Sequence, residues 1–170
     1  MLANVPLDSN QGSGYVILGH AEELRRRGHE VEVRSAYPKK SLAGGRGNRF
    51  RIRLGMARAI SMARTYDFLC LWGGEAGWVA PKVSRLRRRG TVIACSNGLE
   101  THSGLASGDL RRGEPDFFRL EQCFRDLDGL MVVSRFDRDF AAEENYQPPE
   151  RMAAVSNPIP SSFVGQTINL

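Results

Sequence analysis

Short apolar runs alternate with amphipathic stretches along the chain, the pattern of strand–helix units built around a parallel sheet. The runs predict strands at Leu2–Val5, Glu30–Arg34, Phe68–Trp72, Thr91–Cys95, Leu130–Val133 and Met152–Val155. Phe68–Trp72 and Leu130–Val133 are apolar at successive positions, as strands covered by helices on both faces must be, so they are expected in the interior of the sheet. A first helix is expected from about Ser13 to Arg27, with Ile17, Ala21 and Leu24 forming its buried stripe. Arg25, Arg26 and Arg27 fill its last turn, and Gly28 supplies a left-handed stop. The same ending recurs at Arg87-Arg88-Arg89-Gly90, ahead of the fourth strand. Further helices are predicted near Phe50–Ala63, Ala76–Arg88, Asp116–Asp126 and Arg135–Asn145. The fold class that follows is α/β: a Rossmann-like three-layer αβα domain over residues 1–156 with a mostly parallel sheet of about six strands. Residues 157–170 read as an extended linker or hinge.

Two connections, Ala36–Asn48 and Ser96–Pro115, read as loops longer than the few residues usual in compact domains. Both follow strands. Both are therefore expected at the carboxyl edge of the sheet, where α/β proteins bind ligands.

With 41% hydrophobic and 25% charged residues, the chain has a globular composition, which excludes disordered and fibrous classes. There is no apolar run of the roughly 20 residues that crosses a bilayer and no basic-then-apolar leader, so a cytoplasmic protein is expected. Cys70, Cys95 and Cys123 are odd in number, far apart and set in apolar segments, which predicts buried reduced thiols and no metal pair. The net charge is +5, but the 24 basic residues are spread along the chain without an aromatic-interleaved stripe, so nucleic acid is not an expected partner. Lys39, Lys40, Arg46, Arg49, Arg51 and Arg53 do concentrate around Gly44-Gly45. They form either a solvated loop or a peripheral attraction for an anionic membrane or a lipid-linked or phosphorylated acceptor.

Asp8-Ser9-Asn10-Gln11-Gly12-Ser13-Gly14 lies between the first strand and first helix, where glycine lets the backbone approach an anion and helix N–H groups point at it. A tight turn requiring positive φ explains the same letters. A dinucleotide fold expects a third glycine at position 17 and an acid about 20 positions on. Ile17, Arg34 and Ser35 stand instead, which disfavours a nicotinamide cofactor; an NADP oxidoreductase relying on Arg34 ranks low. The Lys-Ser/Thr of a P-loop is also absent.

Taken together, Pro6-Leu7-Asp8 leading into Gly12-Ser13-Gly14 and Ala21-Glu22-Glu23-Leu24-Arg25-Arg26-Arg27-Gly28-His29-Glu30-Val31 resemble the opening of the large retaining family 4 (group 1) of GT-B glycosyltransferases. Tyr66-Asp67-Phe68-Leu69 before Trp72-Gly73-Gly74, Asn97-Gly98-Leu99-Glu100 and Leu127-Asp128-Gly129-Leu130-Met131-Val132-Val133-Ser134 are similar to later landmarks. Pro149-Glu150-Arg151-Met152 with Asn157-Pro158 is similar to the approach to the hinge. The resemblance implies an acceptor-side N-terminal domain that presents its glycine loop to a nucleotide-diphosphate sugar. A C-terminal domain or complementary subunit would grip the nucleotide and carry a glutamate pair with seven residues between its members. Glu22 and Glu30 share that spacing but straddle a helix end and a strand.

On this reading Gly12, Ser13 and Gly14 touch the donor phosphates, and Trp72, Gly73, Glu75, Asn97, Gly98, Glu100, Ser134 and Arg135 line the side of a sugar, lipid-linked or small-molecule acceptor. Competing roles are a core indole for Trp72, a helix-capping or surface carboxylate for Glu100 and a helix cap for Ser134. Members of the family often carry His-Gly where this chain has Asn97-Gly98. Asn97 can only hydrogen-bond. His102 is the nearest histidine, either a substitute base on the loop or an exposed loop side chain. Asp126-Leu127-Asp128 and Asp137-Arg138-Asp139 match the letters of the metal-dependent GT-A motif, but their positions close or occupy helices, so neither a metal nor a cofactor is expected. The alternative from another class is a non-catalytic Rossmann-like module that binds a nucleotide, a sugar or a partner subunit.

Overall fold

A computed structural model describes residues 1–3, 5, 7–9, 12–35, 45–73 and 90–158, with only the backbone of 45–53 and 56. Its strands are β1 (Leu2–Ala3), β2 (Arg34–Ser35), β3 (Phe68–Trp72), β4 (Thr91–Cys95), β5 (Gly129–Val132) and β6 (Met152–Ala154). The helices among the described residues are α1 (Gly12–Arg26), α2 (Gly45–Thr65), α3 (Glu100–Ser107), α4 (Pro115–Asp126) and α5 (Arg135–Glu143), with a 3-10 turn at Pro149–Arg151. Every strand pair is parallel, in the order β2-β1-β3-β4-β5-β6. This is the expected α/β, Rossmann-like arrangement, with β3 and β5 in the interior of the sheet. None of the described helices is long and apolar enough to cross a membrane.

Alternation along the strands divides the core into two layers. Leu69, Leu71, Val92, Ala94, Leu130 and Val132 meet Ala59, Met62, Phe124 and Ala141 from α2, α4 and α5. Ala3, Trp72 and Cys95 face the other way, against Val16, Ile17 and Ala21 of α1. The predicted stripe of α1 is therefore the one it buries, and complete burial of a side chain such as Ile17 stabilises the fold by about 1.5–3 kcal/mol. Phe68, the first residue of β3, remains 66% exposed, so the two-sided covering of that strand begins at Leu69.

Helix α1 ends as the sequence predicts, with Gly28 at φ 89°. The Gly28 N–H donates to Arg25 O (2.9 Å) and the His29 N–H to Leu24 O (3.1 Å), closing a Schellman turn. The three arginines do more than complement a dipole. Arg25 donates to Val31 O (2.6 Å), while Arg26 and Arg27 both clamp Glu23 at 2.7 Å.

Several boundaries differ from the sequence reading: β1 is Leu2–Ala3, and α2 begins at Gly45, so 45–48 of the expected loop Ala36–Asn48, with Arg46, and Arg49 ahead of the expected helix start are helical. Residues Glu30–Val33 do not form ladder, because Arg34 is level with Leu2 and the preceding positions have no β1 residue opposite them. Single bonds take its place: Arg34 N–H to Met1 O (2.9 Å) and the Met1 ammonium to Glu32 O (2.6 Å). The loop read over Ser96–Pro115 contains α3. Its Thr101 and Gly104 are buried, Leu110 packs directly on Gly104, and Gly108 at φ 81° ends it, so tertiary packing overrides weak helical propensity. The predicted helix Ala76–Arg88, Glu75, loop residues 36–44 including Lys39 and Lys40, and 159–170 of the hinge lie outside the described residues, as do the side chains of Arg46, Arg49, Arg51 and Arg53. Pro158 rests against α1, where a Cβ on Gly19 would come within 2.6 Å of its Cγ.

Cys95 and Cys123 are buried free thiols and Cys70 is half-buried. Beyond α5, the buried Gln147 amide donates to Phe124 O (2.6 Å) and Leu127 O (2.8 Å), satisfying carbonyls at the end of α4. Gln147→Leu removes the donor and leaves those carbonyls buried without it. We expect a loss of about 1–3 kcal/mol, measured as a lower urea midpoint at unchanged slope.

Candidate functional site at the carboxyl edge

In this strand order the chain turns from β1 to β2 on one side and returns past β1 to β3 on the other. The crevice outside the carboxyl ends of β1 and β3 is the place where such sheets bind ligands. A cavity of about 300 Å³ opens there, lined by Val5, Ser13, Ile17, Trp72, Gly73, Asn97, Gly98 and Glu100. The start of α1 and the ends of β3 and β4 thus meet in one concavity.

Gly12, Ser13 and Gly14 form the first turn of α1, and neither glycine has positive φ. The tight-turn account therefore does not explain them. A Cβ on Gly12 would meet nothing within 4 Å, so packing does not require glycine there either. The first turn of α1 itself holds no acidic residue, so no charge within that turn offsets the positive end of the helix dipole.

Opposite this turn, Gly73 (φ 99°) and Gly98 (φ 154°) hold backbone conformations that side-chain-bearing residues rarely adopt. Gly73 ties the two strand ends together by donating its N–H to Cys95 O (3.3 Å). Asn97 is exposed at the rim. Trp72 is only 2% exposed, so it is no open platform for a ring; its indole closes the floor and stacks on His20 with centroids 5.4 Å apart. Trp72 Nε1 and His20 Nε2 are buried without a hydrogen-bond partner among the described residues, and burial lowers the His20 pKa.

Glu100 opens α3, and its burial pushes the carboxyl pKa above the usual 4.5, while nearby Asp137 adds to the rise and Ser96 opposes it. Ser96 Oγ lies 2.6 Å from Gly98 O and 2.8 Å from Glu100 Oε2. One hydroxyl proton cannot serve both oxygens. A protonated Glu100 resolves the conflict by donating to Ser96 Oγ, which then donates to Gly98 O.

Ser134 and Arg135 do not reach this cavity. Ser134 is the N-cap of α5, accepting from the Asp137 N–H (3.0 Å), and Arg135 is exposed. His102 corrects the loop reading in another way: it sits within α3, half-buried, with Nδ1 3.0 Å from Asp137 Oδ1 and its ring stacked on Phe140. Asp137 was legible only as part of a rejected metal motif; its partnership with His102 spans 35 positions and left no local signal. Asp128 accepts from the Val92 N–H at the opposite edge of the sheet. No group of three metal-type side chains occurs among the described residues. Arg34 is engaged by Glu32, which removes the free guanidinium that an NADP site would use.

No protein-family model matches the chain, and no curated protein matches it.

The raised Glu100 pKa has a definite sign in stability. Below pH 4.5 Glu100 is protonated in both the folded and unfolded chain, with no penalty from this group. As pH rises from there towards the folded pKa, the unfolded chain releases its proton first, so the folded state is progressively disfavoured. Glu100→Gln is expected to remove that decline, so that the urea midpoint of the variant gains on the parent with rising pH. Parallel curves for the two proteins would contradict the assignment.

Proposed function

We propose that this chain is the acceptor-side, N-terminal Rossmann-like half of a GT-B glycosyltransferase, transferring a sugar from a nucleotide-diphosphate donor to a hydroxyl acceptor. The observation that carries the reading is the cavity at the β1/β3 switch, where Ser13 of the acid-free first turn of α1 faces Gly73, Asn97, Gly98 and Glu100. The backbone N–H groups of Gly12, Ser13 and Gly14 suit an anionic diphosphate. Asn97 and Glu100 supply hydrogen-bonding groups across the cavity, and the closed Trp72 floor limits water. Ser134 and Arg135 act from the neighbouring rim, outside the cavity. A second domain or subunit holds the nucleoside and completes catalysis, as the resemblance to family 4 implies.

Because most donor contacts belong to that second half, this chain alone should bind a nucleoside diphosphate weakly, with Kd of about 1 mM or −4 kcal/mol. Calorimetry or amide NMR with UDP, GDP and ADP measures it. Ser13→Glu puts a like charge at the start of α1 and should weaken the favoured nucleotide at least about tenfold, or 1.4 kcal/mol. Binding that is indifferent to Ser13→Glu, or no response to any of the three nucleotides, overturns the donor-site assignment.

A further inference from the structure

Asn97-Gly98 is the one Asn-Gly pair in the sequence, and it stands on the wall of the cavity. An asparagine has a slow intramolecular reaction open to it, in which the backbone nitrogen of the next residue attacks its Cγ and closes a cyclic imide. That attack needs a following residue without a Cβ to crowd the ring, an N–H not held in a hydrogen bond, and a segment outside helix and ladder that can turn towards the side chain. Asn97 meets all of these conditions. The pair lies between the end of β4 and the start of α3, in neither element, and Asn97 is exposed. Among the described residues, neither the Asn97 amide nor the Gly98 N–H makes a hydrogen bond. Gly98 has open space where a Cβ would stand, and the Ser96 hydroxyl 2.6 Å from Gly98 O leaves the nitrogen free.

The other asparagines with described side chains fail the same conditions. Asn145 donates its amide to Glu143 O (3.2 Å), and the Tyr146 N–H that would attack it is engaged with Ala141 O (2.9 Å). Asn157 precedes Pro158, which has no N–H. Asp128-Gly129 could close the same imide from a carboxyl, but its glycine is buried in β5 and its carboxylate accepts from the Val92 N–H (2.8 Å).

We propose that Asn97 is a site of spontaneous deamidation, and that its conversion to aspartate or isoaspartate closes the cavity to anions. The consequence for the cavity rests on the diphosphate reading above; the modification itself does not. In the first step the Gly98 nitrogen bonds to Asn97 Cγ while the Cγ–Nδ2 bond breaks, and ammonia leaves with the Gly98 amide proton. Water then adds to one of the two imide carbonyls. Cleavage of the new N–Cγ bond gives aspartate, and cleavage of the original peptide bond gives isoaspartate, in which the main chain runs through Cγ. Either product puts a carboxylate on the wall that faces Ser13 of α1. Burial biases Glu100 on that wall toward its neutral form, but a carboxylate at the exposed position 97 stays ionised at neutral pH, and it repels a second anion in so small a space. Isoaspartate also inserts a methylene into the main chain between Ser96 and Glu100, which displaces Gly98 O from the Ser96 hydroxyl.

The test ages the full chain in mildly alkaline buffer and follows each asparagine-containing peptide by mass spectrometry, with fragmentation that separates isoaspartate from aspartate. Asn97 should convert, mainly to isoaspartate, within about tenfold of the rate in a synthetic peptide of residues 94–101, because the fold does not protect it. Asn145 should stay intact over the same interval, and Asn97→Gln, whose longer side chain disfavours the ring, should show no conversion at this position. Fresh and aged samples are then titrated with UDP, GDP and ADP. The fraction of chain that binds the favoured nucleotide should fall with the fraction converted, whereas ageing should leave Asn97→Gln with whatever affinity it had when fresh. Asn97→Asp should bind at least about tenfold more weakly than the parent. Protection of Asn97 far beyond tenfold relative to the peptide, or conversion of Asn145 ahead of it, overturns the modification site. Conversion with nucleotide affinity unchanged overturns the closing of the cavity. A fresh chain that answers to none of the nucleotides sinks the diphosphate reading and this consequence with it, and leaves the modification site standing.

Discussion

An all-parallel sheet cannot be wound in one direction from an interior first strand; the chain must leave β1 to one side and come back past it to add β3 on the other. The connection from β1 runs through α1 on one face, and the connection into β3 runs through α2 on the other. The crevice outside the carboxyl ends of β1 and β3 is therefore a gap that α1 and α2 do not fill. The cavity at Ser13, Trp72 and Gly73 is that gap, and β4 contributes Asn97, Gly98 and Glu100 because it is the next strand in order. Topology alone brings together residues 13, 73 and 98, which no local sequence pattern relates.

Much of the architecture is legible because burial on both faces imposes a pattern. β3 and β4 have the predicted bounds, since interior parallel strands must be apolar at successive positions and both end where glycine or polar residues begin. The edges are less legible. β2 shrinks to Arg34–Ser35 because its extent is set by what β1 offers opposite it and not by its own composition. α3 was hidden for a different reason: Thr101, Ser103, Gly104 and Ser107 are poor helix formers, and the helix exists through the packing of Gly104 under Leu110 and the burial of Thr101.

The candidate site divides along the same line. Ser13, Trp72, Gly73, Asn97, Gly98 and Glu100 were approachable from sequence because each follows a recognisable strand or opens a recognisable helix. Trp72 could be placed but not oriented; whether an indole at a strand end faces a crevice or a helix depends on α1, and here His20 covers it. The His102–Asp137 contact was illegible, since it joins side chains 35 positions apart on two helices, one of them unforeseen. Ser134 illustrates the converse: a serine followed three residues on by Asp137 reads locally as a helix cap, and a cap it is.

The electrostatics of the crevice constrain what can occupy it. A diphosphate drawn to the start of α1 would share the cavity with Glu100, and two anions in a partly dry space of this size repel strongly. The arrangement is workable because Glu100 is already biased toward its neutral form by burial and by Asp137, and a bound anion would bias it further in the same direction. In that state Glu100 is a hydrogen-bond donor, through Ser96 or directly, instead of a competing charge. The negative charge of this corner then rests on Asp137, one layer back and held by Ser134 and His102. Separating a neutralisable carboxyl that faces the cavity from a fixed carboxylate behind it lowers the electrostatic cost of placing an anion near the start of α1.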